Sequence, residues 1–390
     1  MSNRTFEYRL NPTKSQIQEI ENMLWETKCI YNRALEQKIN HYKETGEYLN
    51  LFVQDKDYNI KTCPNVPSVL VDTTLARMEQ SFKNFFRGLK EGKKVGFPRF
   101  QSIKRWSSFK FRDYTMGKLL EKEGQWYWKL FRTTAIRVNL HREFVGTPKY
   151  TQLVKKADGY YVQLIVELPE VEAKPVDNSS KAIGLDVGIK WFVADSEGNK
   201  IKSPKYFRAN AWKLAHNQRL MSKLKKGGKN RDKKRKILAK LHQKVSRQRK
   251  DFVHKVSSHY AKNYDVVCVE KLNIKGMVKN HCLALSINDS AWGLLFQLLE
   301  YKLQTLAKSF IQVEAKYTSQ ICPRCGAVAK KSLSQRTHYC PECLYTDDRD
   351  VASGHVILAR GLRSIGLVRA FGESATIVET LNQEASIALA

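Results

Sequence analysis

The clearest chemistry in this sequence belongs to four cysteines in two pairs, Cys322-Pro-Arg-Cys325 and Cys340-Pro-Glu-Cys343, with 14 residues between the pairs. This spacing is typical of a zinc site, because each pair can wrap one side of a tetrahedral ion. Four thiolates leave no coordination position open, so we expect this Zn²⁺ to be structural. His338 is not needed to complete the set, and we interpret it as a surface residue. The remaining cysteines have no ligand-like spacing: Cys29, Cys63, Cys268 and Cys282.

Three acidic residues lie at positions where a carboxylate indicates a specific role. Asp186 interrupts an apolar strand, where an unpaired acid is costly. Glu270 ends another apolar strand, at the edge where α/β proteins bind ligands, and Asp350 begins the last predicted helix. Each also has a structural interpretation: a paired buried acid, a surface strand end and a helix cap, respectively. Together, in a basic α/β chain, the order Asp, Glu, Asp predicts two hard divalent cations at a phosphodiester.

Positive charge is concentrated between Arg219 and Lys250, where 15 Lys or Arg residues accompany one acid, Asp232. Gly227-Gly228 divides the segment, which predicts two basic amphipathic helices joined by a loop. A solvated charged face is the alternative, but repulsion along a single-sign segment of this length favours a polyanionic partner. We predict sequence-independent contact with nucleic-acid phosphates. The candidate contact residues are Lys225, Lys226, Lys229, Arg231, Lys233, Lys234, Arg235, Lys236, Lys240, Lys244, Arg247, Arg249 and Lys250.

The composition of the whole chain agrees with a nucleic-acid partner. Its 390 residues are enough for two or three domains, and 42% apolar residues exclude disorder throughout. The net charge of +30 favours binding to a polyanion. We find no run of 18 apolar residues, no signal-peptide pattern and too few cysteines for a disulfide scaffold. We therefore expect a cytoplasmic protein with no membrane association.

The periodicity of apolar residues predicts the elements that position these groups. A strand at residues 6–10 precedes a helix that Thr13 and Gln16 open with a capping-box pattern. A second helix covers residues 69–90, and alternating runs within 106–168 predict a small antiparallel barrel or sheet. Residues 169–180 have linker composition.

The second half of the chain alternates strands and helices, which predicts an α/β domain. Strands are expected at residues 182–188, 191–195, 265–270 and 311–315. Helices are expected at residues 288–310 and from about residue 349 onward.

An ordered set of motifs in this chain resembles the transposon-encoded TnpB family, compact RNA-guided DNA endonucleases regarded as ancestral to the type V CRISPR nucleases. The resemblance covers most of the chain and depends on the two cysteine pairs and on the following segments: Tyr8-Arg-Leu-Asn-Pro12, Asn84-Phe-Phe-Arg87, Val95-Gly-Phe-Pro-Arg-Phe100, Gly184-Leu-Asp-Val-Gly-Ile-Lys190, Gln248-Arg-Lys-Asp-Phe-Val-His-Lys255, Val269-Glu-Lys-Leu272, Ser286-Ile-Asn-Asp-Ser-Ala-Trp292, Tyr317-Thr-Ser-Gln-Ile-Cys322 and Asp348-Arg-Asp350.

The resemblance implies an α+β multidomain fold. A wedge-type antiparallel β-barrel would contain an inserted helical recognition lobe, and an α/β RNase H-like (RuvC) domain with an inserted zinc-ribbon module would follow. The implied bounds are 1–10 and 98–175 for the barrel, 11–97 for the lobe, 181–315 and 346–365 for the RuvC-like domain, 316–345 for the zinc module and 366–390 for a tail that the chemistry does not need.

The resemblance also implies a function. Asp186, Glu270 and Asp350 would form a RuvC triad that holds Mg²⁺ or Mn²⁺. A guide RNA from the end of the mobile element would direct cleavage of double-stranded DNA beside a short motif, for which residues 69–86 and 109–114 are the candidate readers. The host would be prokaryotic, the protein nucleoid-associated, and a transposase encoded by the same element a further partner.

One position departs from the family pattern. The family usually has Asn two residues after the last acid, and here that position is Ala352. This departure favours one alternative function, a guided DNA-binding repressor with little or no cleavage. A DNA transposase or resolvase on the same fold is a further alternative, which does not depend on this position.

Overall fold

The computed structural model describes residues 2–58, 63, 66–130, 135–169, 171–172, 174–177, 179–332 and 335–367. The chain divides into two compact units, Met1–Glu170 and Val171–Ala390, and the division falls at the beginning of the predicted linker. The tail predicted at 366–390 lies outside the described residues from residue 368 onward.

The first unit combines a seven-stranded antiparallel sheet with helices that follow its first strand. In chain order its elements are β1 (Ser2–Asn11), α1 (Lys14–Thr45), α2 (Leu51–Asp55), α3 (Ser68–Lys90), β2 (Ser108–Lys110), β3 (Gly117–Lys122), β4 (Gln125–Leu130), β5 (Ile136–Asn139), β6 (Thr147–Lys156) and β7 (Gly159–Leu168). The strand order is β2-β6-β7-β1-β5-β4-β3. The predicted capping box is confirmed, because Thr13 and Gln16 each accept a hydrogen bond from the other's backbone N–H.

The sheet of the first unit is curled. Strands β3 and β6 stand far apart in the strand order, yet the Thr151 hydroxyl on β6 donates to the Gly117 carbonyl on β3 at 2.9 Å. The Trp128 indole N–H lies 3.2 Å from both of these oxygens. Trp128 is fully buried, so a single indole closes the sheet around its core while its polar atom stays hydrogen-bonded. The predicted barrel-like antiparallel sheet is confirmed.

The second unit is an α/β fold, as predicted. Its elements are β8 (Ala182–Asp186), β9 (Trp191–Asp195), β10 (Lys200–Lys202), α4 (Tyr206–Lys223), α5 (Lys229–Asn263), β11 (Val266–Lys271), α6 (Ile274–Met277), α7 (His281–Ser290), α8 (Trp292–Thr305), β12 (Ser309–Glu314), β13 (Thr337–Tyr339), β14 (Thr346–Asp348) and α9 (Arg349–Ser364). The main sheet has the order β10-β9-β8-β11-β12, in which β8, β11 and β12 are parallel.

The helix predicted at residues 288–310 has different bounds. Ala291 adopts a left-handed conformation with φ of 57°, so α7 ends there and α8 begins. Helix α8 ends at Thr305, and β12 begins two residues before the predicted strand. The stretch His281–Thr305 has the length and apolarity of a membrane-spanning helix. The break at Ala291 and the buried side chains of Trp292, Leu295 and Leu299 identify α8 as a core helix instead.

Helix α9 crosses the main sheet at two points of very close approach. A Cβ on Gly184 of β8 would lie 2.0 Å from the carbonyl oxygen of Gly354, and a Cβ on Gly354 would lie 3.0 Å from the backbone nitrogen of Ser196. Further along the helix, a Cβ on Gly361 would lie 2.2 Å from Sγ of Cys268 on β11. The absence of side chains at these glycines therefore determines where α9 lies on the sheet.

We expect Gly184→Ala to destabilise the second unit. The added methyl meets backbone rather than a side chain that could rotate, and overpacking of this kind costs roughly 1–3 kcal/mol or more. Urea unfolding of the full chain should show a lower midpoint. Gly293→Ala is the matched control. Gly293 lies in helix α8, and its added Cβ would contact only Ile274, at an ordinary 3.5 Å. A midpoint for Gly184→Ala equal to that of the control would contradict the argument.

Candidate active site and metal centre

Two of the predicted site residues are neighbours in the sheet. Cys268 pairs with Gly184 in the parallel register of β11 and β8, and both residues contact α9. Because side chains two residues apart on a strand point to the same face, Glu270 and Asp186 lie on the α9 side of the sheet. Asp350 occupies the first turn of α9. The structure therefore brings the three acids together where the parallel strands end and the helix begins.

Two of the three acids have raised pKa values. The pKa of Asp186 is well above its usual range because the side chain is buried and because Glu270 and Asp350 repel its charge, while Arg349 offsets part of this effect. Burial also raises the pKa of Glu270, against the opposing effects of the Thr318 hydroxyl and Arg360. A cation at this site would be stabilised by the same charges that now repel one another.

Neighbouring residues hold these acids in place, and the sequence interpretation missed the roles of two of them, Thr318 and Lys200. The Thr318 hydroxyl donates to Oε1 of Glu270. Asp348 caps α9 by accepting a hydrogen bond from the backbone N–H of Asp350 at 2.9 Å, and its other oxygen lies 2.7 Å from Nζ of Lys200. Thr318 lies in a segment that resembles a family motif, so the sequence alone could have indicated a functional role for it. The role of Lys200 depends on pairing across the fold and had no local signal.

Arg349 connects the start of α9 to the segment before it. Its Nε lies 3.4 Å from Oδ1 of Asp350, and its Nη1 donates to the Gln335 carbonyl at 3.2 Å. Its backbone N–H donates to the Arg336 carbonyl at 2.8 Å. These contacts determine the direction from which the chain enters the helix that carries Asp350.

The residues at this edge fit a hard divalent cation. Three carboxylates supply the oxygen ligands that Mg²⁺ and Mn²⁺ prefer. Across the part of the chain that the structure describes, the ligand atoms of these acids do not form a cluster within 4.8 Å as the cysteines do.

Ala352 stands where the family resemblance leads us to expect Asn. It is buried in the first turns of α9, beside Val351 and Ser353, which are also buried. This position of α9 therefore offers no amide to orient a ligand or a carboxylate.

The four cysteines form the predicted metal centre. Sγ of Cys322 lies 3.5 Å from Sγ of Cys343, Sγ of Cys325 lies 3.5 Å from Sγ of Cys340, and all four sulfurs lie within 4.8 Å of one another. Tetrahedral thiolates about 2.3 Å from a zinc ion stand at similar mutual separations. The cluster therefore fits a structural Zn²⁺ with four protein ligands.

The interpretation of His338 as a surface residue is wrong. His338 is fully buried on β13, where it contacts Nζ of Lys331, and its ring centroid is 5.8 Å from that of Tyr345. Pairing of β13 with β14 turns this side chain inward, and the flanking Thr337 and Tyr339 point outward. A three-residue strand has too short a pattern for the sequence to reveal its inner face.

The basic segment folds as two helices, as predicted, with the turn at Gly227-Gly228. Ten of the thirteen candidate contact residues are exposed. Arg231 and Arg249 instead make structural contacts: Arg231 donates to the carbonyls of Met221 and Leu224, and Nη2 of Arg249 lies 2.9 Å from the buried Asp289. Contact of the thirteen residues with nucleic acid stays a prediction. Arg231 also joins α5 to the end of α4, and Arg249 joins α5 to α7.

The fold and the site together define a protein whose α/β unit carries three carboxylates that fit a divalent cation, a basic helical hairpin and a four-cysteine centre.

Family models match residues 163–281 ("Probable transposase"), 292–357 ("Cas12f1-like, TNB domain") and 1–47 ("Helix-turn-helix domain"). A Streptomyces pristinaespiralis protein named "Putative RNA-guided DNA endonuclease" is 30% identical, over 92% of this chain and 89% of that protein. The "Putative RNA-guided DNA endonuclease InsQ" of Escherichia coli is 29% identical, over 92% and 94%.

A solved structure also shares the fold. A Cas12f1 chain, determined in complex with single-guide RNA and target DNA, has a TM-score of 0.55 at 16% identity and covers 87% of this chain and 82% of its own. The chain therefore belongs to the TnpB family, and the resemblance stated from its motifs is confirmed.

We expect the freshly purified protein to contain one zinc per chain. Cys340→Ser removes one of four ligands, and because metal binding supplies folding energy to a module this small, the variant should lose zinc and melt at a lower temperature. Metal analysis by mass spectrometry checks the first effect and calorimetry the second. Cys282→Ser is the control, since Cys282 is exposed and remote in sequence from the cluster. Absence of zinc from the parent protein would refute the assignment.

Proposed function

We propose that this chain is an RNA-guided DNA endonuclease of a mobile genetic element, which cuts double-stranded DNA beside a short motif by metal-dependent hydrolysis. The observation that carries the proposal is the convergence of Asp186, Glu270 and Asp350 at one edge of an α/β sheet in a chain of net charge +30. Membership of a family whose curated relatives are named as RNA-guided DNA endonucleases supports it.

The guide RNA and the target DNA are the proposed partners. Base pairing between them would read the target sequence, while the protein would contact backbones and read only a short adjacent motif. The exposed cations of the α4–α5 hairpin suit contact with nucleic-acid backbones, since phosphate contacts carry no sequence information. We propose that residues 69–86 and 109–114 read the adjacent motif. The predicted domain bounds and the partner transposase stay predictions.

The proposed mechanism assigns the site carboxylates to divalent cations. Asp186, Glu270 and Asp350 would hold Mg²⁺ or Mn²⁺, and the bound cations would neutralise charge on the phosphodiester and lower the pKa of a bound water. Thr318 keeps one oxygen of Glu270 hydrogen-bonded, which fixes the orientation of that carboxylate. Arg349 beside Asp350 limits the net negative charge of this edge of the sheet. The raised pKa of Asp186 means that protons compete with cations, so activity should fall as the pH falls.

Two other functions keep a specific observation in their favour. Ala352 in place of Asn favours a guided DNA-binding protein with weak cleavage. The description of the family model over residues 163–281 favours a transposase on the same fold. Transposases commonly carry their acids in the order Asp, Asp, Glu, whereas this chain has Asp, Glu, Asp. A discrete RNA that co-purifies with the protein would distinguish guided functions from an autonomous transposase.

We expect Asp186→Ala, Glu270→Ala and Asp350→Ala each to lower DNA cleavage by at least about 100-fold, because loss even of a residue that only supports a metal ligand costs about 10- to 100-fold. Binding of RNA and of target DNA should persist. Cleavage assays with the co-purified RNA and added Mg²⁺ test this, with Asp251→Ala as a control on an exposed carboxylate of α5. Undiminished cleavage by any triad variant, or in excess EDTA, would show that the site lies elsewhere.

We expect the charge of the α4–α5 hairpin to appear in the salt dependence of RNA binding. Removing one contact between a cation and a phosphate should flatten the slope of log affinity against log salt by roughly 0.7–0.9. Converting Lys233, Lys234, Arg235 and Lys236 to Gln should therefore flatten it by about 3 if all four are engaged. Matched and mismatched nucleic acids should weaken alike. Parallel lines for parent and variant would place the phosphate-binding surface elsewhere.

A further inference from the structure

One face of α4 carries an aromatic pair between positive charges. Residues three or four apart on a helix share a face, and an unbroken series at this spacing runs along α4 from its N-cap to its last residue. All six members of the series are exposed, and four of them are Lys or Arg. The series is Lys205, Arg208, Trp212, His216, Arg219 and Lys223.

Trp212 is at the centre of this face, and 71% of its surface is exposed. Its ring is stacked on that of His216, with centroids 5.1 Å apart and planes inclined by 9°. The buried residue of α4 is Leu214, on another face of the helix, so the indole of Trp212 contributes little to the core. A large flat apolar surface held open to solvent between cations is an arrangement that binds planar anionic ligands.

We infer that Trp212 and His216 form a stacking platform for an unpaired base of the guide RNA, an inference that rests on the proposed function. The outer face of the indole is free to stack with a base, and base–aromatic stacking tolerates any base because every base has a π-face. Arg208 and Arg219 lie on the two sides of the pair along the helix, roughly 16 Å apart by helical rise. The strand can therefore keep its phosphates near a cation on both sides of the stacked base.

The charge of the hairpin favours RNA over a DNA strand as the occupant. Ten exposed candidate cations of the hairpin repel one another for as long as no polyanion covers them. A guide RNA is bound before any target is found, so it covers these charges throughout, whereas a displaced DNA strand would arrive only after target recognition. The base must be unpaired, since a base inside a duplex has both faces covered.

The test compares Trp212→Ala with Trp212→Phe in the full chain, using the co-purified RNA as ligand over a range of salt concentrations. The alanine variant should bind at least about 5-fold more weakly at every concentration. Its salt line should stay parallel to that of the parent, because stacking releases no counterions. Phenylalanine should restore most of the affinity. Trp25→Ala, which removes another exposed indole beside a lysine in the first unit, should leave affinity unchanged.

Further readouts separate this inference from the proposed function. Ultraviolet cross-linking followed by mass spectrometry should place an RNA base on the α4 peptide that contains Trp212. Equal affinities for Trp212→Ala and the parent, with an unchanged melting temperature, would overturn the platform, as would an effect seen only with single-stranded DNA added to the RNA-bound protein. If no discrete RNA co-purifies with the parent, the proposed function fails. A single-stranded oligoribonucleotide of about 15 nucleotides, within the usual site sizes of single-strand binders, then replaces the guide, and the same criteria apply to the platform.

Discussion

At the crossing of α9 over β8, Gly184 and Gly354 bring two backbones so near each other that a Cβ on Gly184 would lie 2.0 Å from the carbonyl oxygen of Gly354. Glycine inside a helix costs roughly 1 kcal/mol relative to alanine, so a helix that carries two, at positions 354 and 361, has a lower intrinsic stability. The crossing determines how close Asp186 is to Asp350, because Asp186 lies two residues after Gly184 and Asp350 lies one helical turn before Gly354. This function offsets the cost in helix stability. The second crossing, at Gly361 and Cys268, prevents the helix from rotating about the first.

The second unit carries two clusters of unbalanced charge, one negative at the edge of the main sheet and one positive on the α4–α5 hairpin. At the sheet edge, burial and, after it, repulsion by Glu270 and Asp350 raise the pKa of Asp186, and the nearby Arg349 and Arg360 offset only part of the negative charge. On the α4–α5 hairpin, lysines and arginines accumulate with few acids to balance them. Like charges persist in a folded protein when a ligand supplies the opposite charge. Cations at the edge and phosphates on the hairpin would complete both places, and a metal-dependent nuclease brings both to the same protein.

The sequence predicts best where a single local pattern decides the structure. The capping box at Thr13, the turn at Gly227-Gly228 and the position of Asp186 in an apolar strand all follow from a few adjacent residues. It fails where the decisive contact is distant. Arg249 is of the same residue type as its exposed neighbours although it pairs with the distant Asp289. The crossing partner of Gly354 lies 170 residues earlier in the chain.

The cysteine module is connected to the acidic edge at both of its ends. The chain leaves β12 at Glu314 and soon presents Thr318 to the carboxylate of Glu270. It returns through β14, whose last residue, Asp348, caps the helix that begins with Arg349 and Asp350. Between these two contacts, the four sulfurs of the segment lie within 4.8 Å of one another. A bound zinc would stabilise the module and, through its two ends, the orientation of two of the three acids. A structural metal without an open coordination position can therefore influence the chemistry at the sheet edge, because it determines how the chain enters and leaves that edge.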